Sequence, residues 1–108
     1  MNWYKIFESE KDANREVPER SIMRLKIKGK AISFAHTKHG YFAVDDECPH
    51  LGESLSKGTV NYLNEIICPW HSHRFHMQSG TECKGRSGDL KTYKVEIKED
   101  GVFIGMDD

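Results

Sequence analysis

The sequence predicts an all-β fold, because apolar and polar residues alternate along several short stretches that turn residues separate. Residues 3–7, 23–27 and 93–97 show this alternation, which is typical of strands with one face in the core and the other in water. Asp100-Gly101 is a favourable hairpin turn before the last apolar segment. No stretch carries a convincing helical period, so we expect antiparallel hairpins.

The first half of the chain predicts a meander of short strands. Residues 3–7 form the opening strand, and residues 23–28, 32–36 and 41–45 form three more, joined by short turns. Residues 8–19 are polar and rich in charges, and they show no consistent apolar period. We therefore expect a surface loop there, with room for a short helical turn.

Shorter strands are predicted in the second half. Residues 59–62, 66–67 and 74–76 have extended character, and Asn64-Glu65 has the composition of a turn. Two of these strands run directly into or out of a segment that contains cysteine and histidine. A rigid sheet would hold such a segment in place.

Length and charge exclude several classes of protein. The chain has 108 residues, so we expect residues 1–108 to form a single domain. Its 16 basic and 17 acidic residues nearly cancel, which argues against a nucleic-acid-binding protein. No apolar run approaches the roughly 18 residues of a membrane span, and the first residues lack the apolar stretch of a signal peptide. The odd count of 3 cysteines argues against a disulfide framework, so we expect a cytoplasmic protein.

Two short segments offer one thiolate and one imidazole each. They read Cys48-Pro49-His50 and Cys68-Pro69-Trp70-His71, and a proline follows each cysteine, which stiffens both segments in the same way. A matched pair of segments with mixed cysteine and histidine ligands predicts a metal centre.

Two kinds of centre suit these four ligands: a tetrahedral zinc site and a two-iron cluster. A zinc finger of this composition pairs cysteine with cysteine and histidine with histidine, whereas each segment here mixes the two types. Two mixed loops that face each other across two irons would bring both thiolates to one iron and both imidazoles to the other. The spacing therefore favours the cluster, with zinc as the alternative.

The motifs Cys48-Pro49-His50-Leu51-Gly52 and Cys68-Pro69-Trp70-His71, followed by Arg74-Phe75 and Ser79-Gly80, resemble the Rieske family, in particular its small soluble ferredoxins. The resemblance implies an antiparallel β sandwich or barrel with a cluster-binding subdomain at about residues 46–80. It also implies a 2Fe–2S cluster with Cys48 and Cys68 on one iron and His50 and His71 on the other.

The same resemblance implies an electron carrier. It would take one electron from a flavin-dependent or iron–sulfur reductase and pass it to a terminal oxygenase, with no nucleic acid or membrane as partner. No nucleophile with a paired base, phosphate-binding glycine loop or nicotinamide fingerprint points to an enzyme. The alternatives are a small Rieske subunit of a complex similar to nitrite reductase and a zinc-stabilised binding domain.

Several residues depart from the family pattern. Glu53 and Trp70 stand where high-potential members have an additional disulfide-bonded cysteine pair, and His73 and Phe75 stand where those members have a serine and a tyrosine. Without the two hydroxyl donors, we expect a potential near the low end of the family range of roughly −150 to +300 mV. Ser72 replaces a usual glycine, which predicts a strained or redrawn loop.

The remaining polar residues near the motifs have simpler interpretations. We expect Cys83 to be a small core residue and His73 to face the solvent. Residues 45–47 and Glu53 form an acidic collar that either steers a basic partner or is a solvated turn.

Overall fold

The computed structural model describes residues 1–49, 52–70, 72–85 and 88–107. Within those ranges the chain forms nine β-strands, one α-helix and one short 3-10 turn at Leu55–Lys57. The strands are β1 (Asn2–Phe7), β2 (Ile22–Ile27), β3 (Lys30–Thr37), β4 (Gly40–Asp45), β5 (Thr59–Val60), β6 (Glu65–Ile67), β7 (Arg74–His76), β8 (Thr92–Lys98) and β9 (Gly101–Met106), and the helix is α1 (Glu10–Glu16).

Six strands form a curled antiparallel sheet in the order β1-β9-β8-β4-β3-β2. The hairpin of β2 and β3 is in continuous register from Ile22↔Ala35 to Ile27↔Lys30. Its turn residues Lys28 and Gly29 both have positive φ, at 55° and 79°, as a tight two-residue hairpin turn requires. The predicted strands and the all-β class are confirmed.

The other three strands form a small antiparallel sheet in the order β5-β6-β7. This sheet and the loops around it lie in the chain between β4 and β8. The strands have only two or three residues each, which is too few for the sheet to be stable alone. Its stability must come from packing against the larger sheet and from contacts within its loops.

The strand pair β3–β4 separates two hydrophobic cores. Phe34 and Ala43 belong to the core under the curled sheet, whereas their neighbours Ala35 and Val44 belong to the core of the small sheet. Successive residues of a strand point to opposite faces, so each strand contributes to both cores. Buried Cys48 and Cys68 lie in the second core, together with Leu55, Val60, Ile66, Phe75, Met77 and Leu90.

The prediction of a surface loop at residues 8–19 was wrong for its central part, because Glu10–Glu16 is helical. Ser9 is the N-cap, and its side chain accepts a hydrogen bond of 3.1 Å from the Asp12 N–H. The helix buries only Ala13, and Val17 at its C-cap is buried as well. Two buried residues are too few to produce a visible helical period. Among the described residues, no helix is long and apolar enough to cross a membrane.

Candidate metal centre

The two cysteine loops close with the same backbone hydrogen bond. The Cys48 N–H donates to the Glu53 carbonyl at 2.9 Å, and the Cys68 N–H donates to the His73 carbonyl at 2.8 Å. Each bond joins a cysteine to the residue five positions later. The two segments have similar compositions, and the hydrogen bonds that close their loops are also equivalent.

A residue with positive φ precedes the end of each loop. Gly52 has φ of 73° and Ser72 has φ of 53°, and each lies four positions after its cysteine. The left-handed conformation costs no steric strain for glycine but about 1–2 kcal/mol for a residue with a Cβ atom. The expected strain at Ser72 is therefore present, and the closing hydrogen bond of its loop is nevertheless formed.

The thiols of Cys48 and Cys68 meet between the loops. Both residues are 1% exposed, and their side chains are within hydrogen-bonding contact of each other. Burial is the main reason why the pKa of the Cys68 thiol is raised to about 11, and the nearby Cys48 and Glu53 side chains raise it further. Two adjacent buried thiols need a cation to become thiolates, so this pair fits the thiolate half of an iron–sulfur cluster.

The backbone N–H of Trp70 donates a hydrogen bond to the Cys68 sulfur and opposes the rise of its pKa. A thiolate that accepts an N–H bond carries less charge, which is one way in which a protein adjusts the potential of a cluster. The Trp70 side chain itself is 54% exposed. The other two predicted ligands, His50 and His71, lie outside the described residues.

A buried carboxylate supports the first loop. Asp46 is 4% exposed, and its oxygens accept hydrogen bonds from the residues that surround the loop. The donors are Ser33 Oγ at 2.7 Å, Ser54 Oγ at 2.6 Å, the Ser56 N–H at 2.9 Å and Arg24 Nε at 3.1 Å. Burial alone would raise the pKa of Asp46, but the serine hydrogen bonds lower it to about 2. Asp46 is thus neither a solvated turn residue nor part of an exposed collar.

Two buried residues that follow Cys68 in the chain lie in or next to the second loop. Phe75 is fully buried in the same core as the two cysteines, and it has no hydroxyl with which to donate to a cluster. His73 is 5% exposed, so the prediction that it faces the solvent was wrong. Its carbonyl accepts the closing bond from Cys68, but this bond alone does not bury a side chain, since Glu53 accepts the matching bond from Cys48 and its side chain is 26% exposed.

Comparison with known proteins decides the family. The model of the Rieske [2Fe-2S] domain matches residues 2–94 of the chain. The chain belongs to the Rieske family. The predicted 2Fe–2S cluster is therefore confirmed as its cofactor. The alternative of a zinc ion between the two loops is not confirmed.

The Rieske chain is similar to known ferredoxins in both sequence and structure. It is 31% identical over 93 residues to the ferredoxin component of the naphthalene 1,2-dioxygenase/salicylate 5-hydroxylase systems of a Ralstonia species, covering 85% of this chain and 88% of the relative. A chain from the complex of reduced oxygenase and oxidised ferredoxin in carbazole 1,9a-dioxygenase superposes with a TM-score of 0.79 at 25% identity, covering 94% of this chain and 91% of that one.

A putative nitrite reductase small subunit superposes with a TM-score of 0.80 at 19% identity, over 98% of this chain and all of its own. At that identity the likeness concerns the fold alone. The sequence relatives are ferredoxin components of dioxygenase systems, so this Rieske protein is an electron carrier and not itself a catalytic enzyme.

A second group of metal-ligating side chains lies on the small sheet. One ligand atom each from Glu65, His76 and Cys83 lies within 4.8 Å of the others. Glu65 is the first residue of β6 and not part of a turn as predicted. Cys83 is half-buried and outside both hydrophobic cores, so the prediction of a core residue was wrong. The sequence could not show this group, because strand pairing brings Glu65 to residues that follow it by 11 and 18 positions.

Proposed function

We propose that residues 1–108 are a single domain in which Cys48 and Cys68 bind one iron of the 2Fe–2S cluster and His50 and His71 bind the other. The observation that supports this assignment is the contact between two buried thiols at the start of two matched loops. In each loop a histidine follows the cysteine by two or three positions. A cluster with this ligand set has two neutral imidazoles in place of two thiolates, so its potential lies above that of a four-cysteine cluster.

We infer that the protein takes one electron from a flavin-dependent or iron–sulfur reductase and gives it to a terminal oxygenase. Its similarity to ferredoxin components of dioxygenase systems supports this route, as does the oxygenase complex of the carbazole ferredoxin. The carrier would be a cytoplasmic protein with no nucleic acid or membrane as partner. The bound cluster supplies a one-electron reduction and oxidation, and the protein supplies its surroundings.

From those surroundings we infer a reduction potential near the low end of the Rieske range. Phe75 offers no hydroxyl to the cluster, and burial of Cys48 and Cys68 keeps water from the sulfur atoms. Fewer hydrogen bonds to the sulfur atoms leave more negative charge on them, which disfavours the reduced state. The backbone N–H of Trp70 acts against this trend, because it donates a hydrogen bond to the Cys68 sulfur and so raises the potential.

The ligand assignment can be tested on the dithionite-reduced protein by low-temperature electron paramagnetic resonance. A cluster with two histidines gives a lower average g value than one with four cysteines. His71→Cys should lower the reduction potential if the cluster is retained, whereas His39→Gln, at an exposed position outside the loops, should leave it unchanged. Equal potentials for the His71 variant and the unaltered protein would contradict the assignment.

The electron route can be tested by rapid mixing under argon. The reduced protein should be reoxidised, one electron per chain, by the oxygenase component of a naphthalene or carbazole dioxygenase system. Reoxidation by the large subunit of a nitrite reductase, with none by the oxygenases, would contradict the proposal that an oxygenase is the electron acceptor. The assignment of the cluster ligands would be unaffected.

A further inference from the structure

We propose that Glu65, His76 and Cys83 form a mononuclear zinc site, separate from the two cysteine loops. Carboxylate, imidazole and thiolate are the three ligand types that zinc uses in proteins, and this group offers one of each. Three protein ligands leave a fourth position for water. Neither the electron-carrier function nor the 2Fe–2S cluster requires these residues, so the inference goes beyond both.

The distances between the three side chains suit a zinc ion. The Cys83 sulfur lies 3.2 Å from Glu65 Oε2 and 3.5 Å from His76 Nε2, whereas the other ring nitrogen of His76, Nδ1, lies 3.8 Å from Glu65 Oε2. One His76 nitrogen, the Cys83 sulfur and one Glu65 oxygen all lie within 4.8 Å of one another. With zinc–sulfur bonds of about 2.3 Å and zinc–oxygen or zinc–nitrogen bonds of about 2.1 Å, tetrahedral ligand atoms are about 3.4–3.6 Å apart. The His76 side chain is exposed, so rotation of its ring can bring one nitrogen to this distance from both other ligand atoms and complete the site.

The Glu65 carboxylate is already oriented for this role. Its Oε1 accepts a 2.8 Å hydrogen bond from Asn61 Nδ2 and lies 3.7 Å from Arg74 Nη1, so Oε2 is the oxygen directed at Cys83. Carboxylates that bind metals typically accept such hydrogen bonds from neighbouring side chains. The Asn61 hydrogen bond is also the main reason why the pKa of Glu65 is lowered, and this keeps the group ionised.

The backbone fixes the three ligands relative to one another. Glu65 and His76 are directly opposite in the β6–β7 pair, and the chain then turns so that the His76 N–H bonds to the Thr81 carbonyl at 2.9 Å. The Cys83 N–H bonds to the Arg74 carbonyl at 2.8 Å. The ligands therefore come from two paired strands and from the turn after the Phe75–Glu82 bridge, and a bound ion would cross-link the small sheet to that turn.

Charge and protons balance in the proposed binding step. Without a metal, burial and the Glu65 carboxylate raise the pKa of the Cys83 thiol to about 11, so the group is a neutral thiol at pH 7. Zinc would replace the thiol proton, form a zinc–sulfur bond and release one proton to the buffer. The two positive charges of the ion then match one thiolate and one carboxylate, with His76 neutral. Arg74 is engaged on the opposite oxygen of Glu65.

The test is a titration of the reduced, cluster-loaded protein with zinc by isothermal calorimetry in two buffers of different ionisation heat. We expect one equivalent to bind with release of about one proton at pH 7. Cys83→Ser should weaken binding more than about 100-fold and abolish proton release, and Asn61→Ala should weaken it about 10–100-fold. His39→Gln, at an exposed histidine outside the group, should bind as the unaltered protein does.

Absence of binding, or equal binding to the Cys83→Ser variant, would overturn the proposal. X-ray absorption at the zinc edge of the unaltered protein gives a second answer that requires no variant. One sulfur at about 2.3 Å with nitrogen or oxygen at about 2.0–2.2 Å supports the site. Two sulfurs would place zinc at Cys48 and Cys68, and no sulfur would indicate surface binding, and either result overturns it.

Discussion

The loop of residues 48–53 and the loop of residues 68–73 present a buried thiol in the same way, but different parts of the protein support them. The first loop follows the Asp46 carboxylate, which accepts hydrogen bonds from Ser33 of β3 and from Ser54 and Ser56 in the segment after the loop. The second loop connects β6 to β7, whose register Ile67↔Arg74 brings its two ends together. One thiol thus depends on a side-chain network and the other on a backbone ladder.

Because their supports differ, the two loops should tolerate different amino-acid substitutions. A network that converges on one carboxylate is sensitive to the loss of that charge, because its donors would then compete for a weaker acceptor and one of them, Ser33, is buried. A hairpin is less sensitive to single side chains but depends on backbone conformation at its turn. The chain has its glycine in the first loop, at Gly52, and a strained serine in the second, at Ser72.

The largest expected effect comes from the thiols themselves. Cys48→Ser and Cys68→Ser should each abolish the visible absorption of the cluster, because both loops are required to hold one iron. Cys83→Ser is the matched control and should keep the full absorption, since Cys83 lies outside both loops. Cluster loss in all three variants would mean that Cys83 is also needed for the cluster.

Asp46→Asn should break the first loop selectively. Because one pKa unit corresponds to about 1.4 kcal/mol, a change of the Asp46 pKa from 3.8 to about 2 contributes about 2 kcal/mol to the free energy of unfolding. A lowered pKa stabilises the folded state above the unfolded value of 3.8, and this contribution is lost as the pH falls toward 2. Urea unfolding should show a deficit of about 2 kcal/mol at pH 7 and about 1 kcal/mol at pH 3.

Glu47→Gln is the control for this experiment, since Glu47 is the exposed neighbour of Asp46. It should change stability by less than about 0.5 kcal/mol. A deficit in the Asp46 variant that stays constant between pH 3 and pH 7 would mean that ionisation of Asp46 does not stabilise the loop.

Phe75→Tyr should sharpen the account of the second loop by adding a donor near the cluster. A hydrogen bond of about 1–1.5 kcal/mol that favours the reduced state corresponds to a rise of about 40–65 mV for a one-electron couple. Redox titration measures the shift, and Phe75→Met is the control without a hydroxyl. Equal potentials for the tyrosine and methionine variants would argue against a missing hydroxyl as the cause of a low potential.

Ser72→Gly should produce the smallest effect, and it should be stabilising. Removal of the Cβ strain at positive φ gains about 1–2 kcal/mol, and the greater freedom of glycine in the unfolded chain costs about 0.4–1 kcal/mol, so the net gain is about 0.5–1 kcal/mol. Gly52→Ala is the reciprocal variant and should lose about 1 kcal/mol or more. Chemical unfolding of both would show whether the two loops follow the same rule.

Local patterns made much of the fold predictable, together with the two cysteines that the structure brings into contact. Alternation identified most of the strands, and the motif spacing identified Cys48 and Cys68 as a pair. Helix α1 was missed because its few buried residues leave no period, although Ser9 followed by Asp12 was a capping signal. The burial of Asp46 and the position of Cys83 depend on partners such as Ser33 and Glu65, which only the folded sheet brings near.

The division of the molecule into two cores by β3 and β4 has a consequence for how the protein matures. The curled sheet buries its own apolar residues, among them Phe34, Val102 and Ile104, with no contribution from Cys48 or Cys68. We therefore expect this sheet to fold without iron and the small sheet to be completed against it when the cluster is bound. When iron is scarce, we expect the curled sheet to stay folded without the cluster, so that the chain does not unfold completely and can still bind the cluster later.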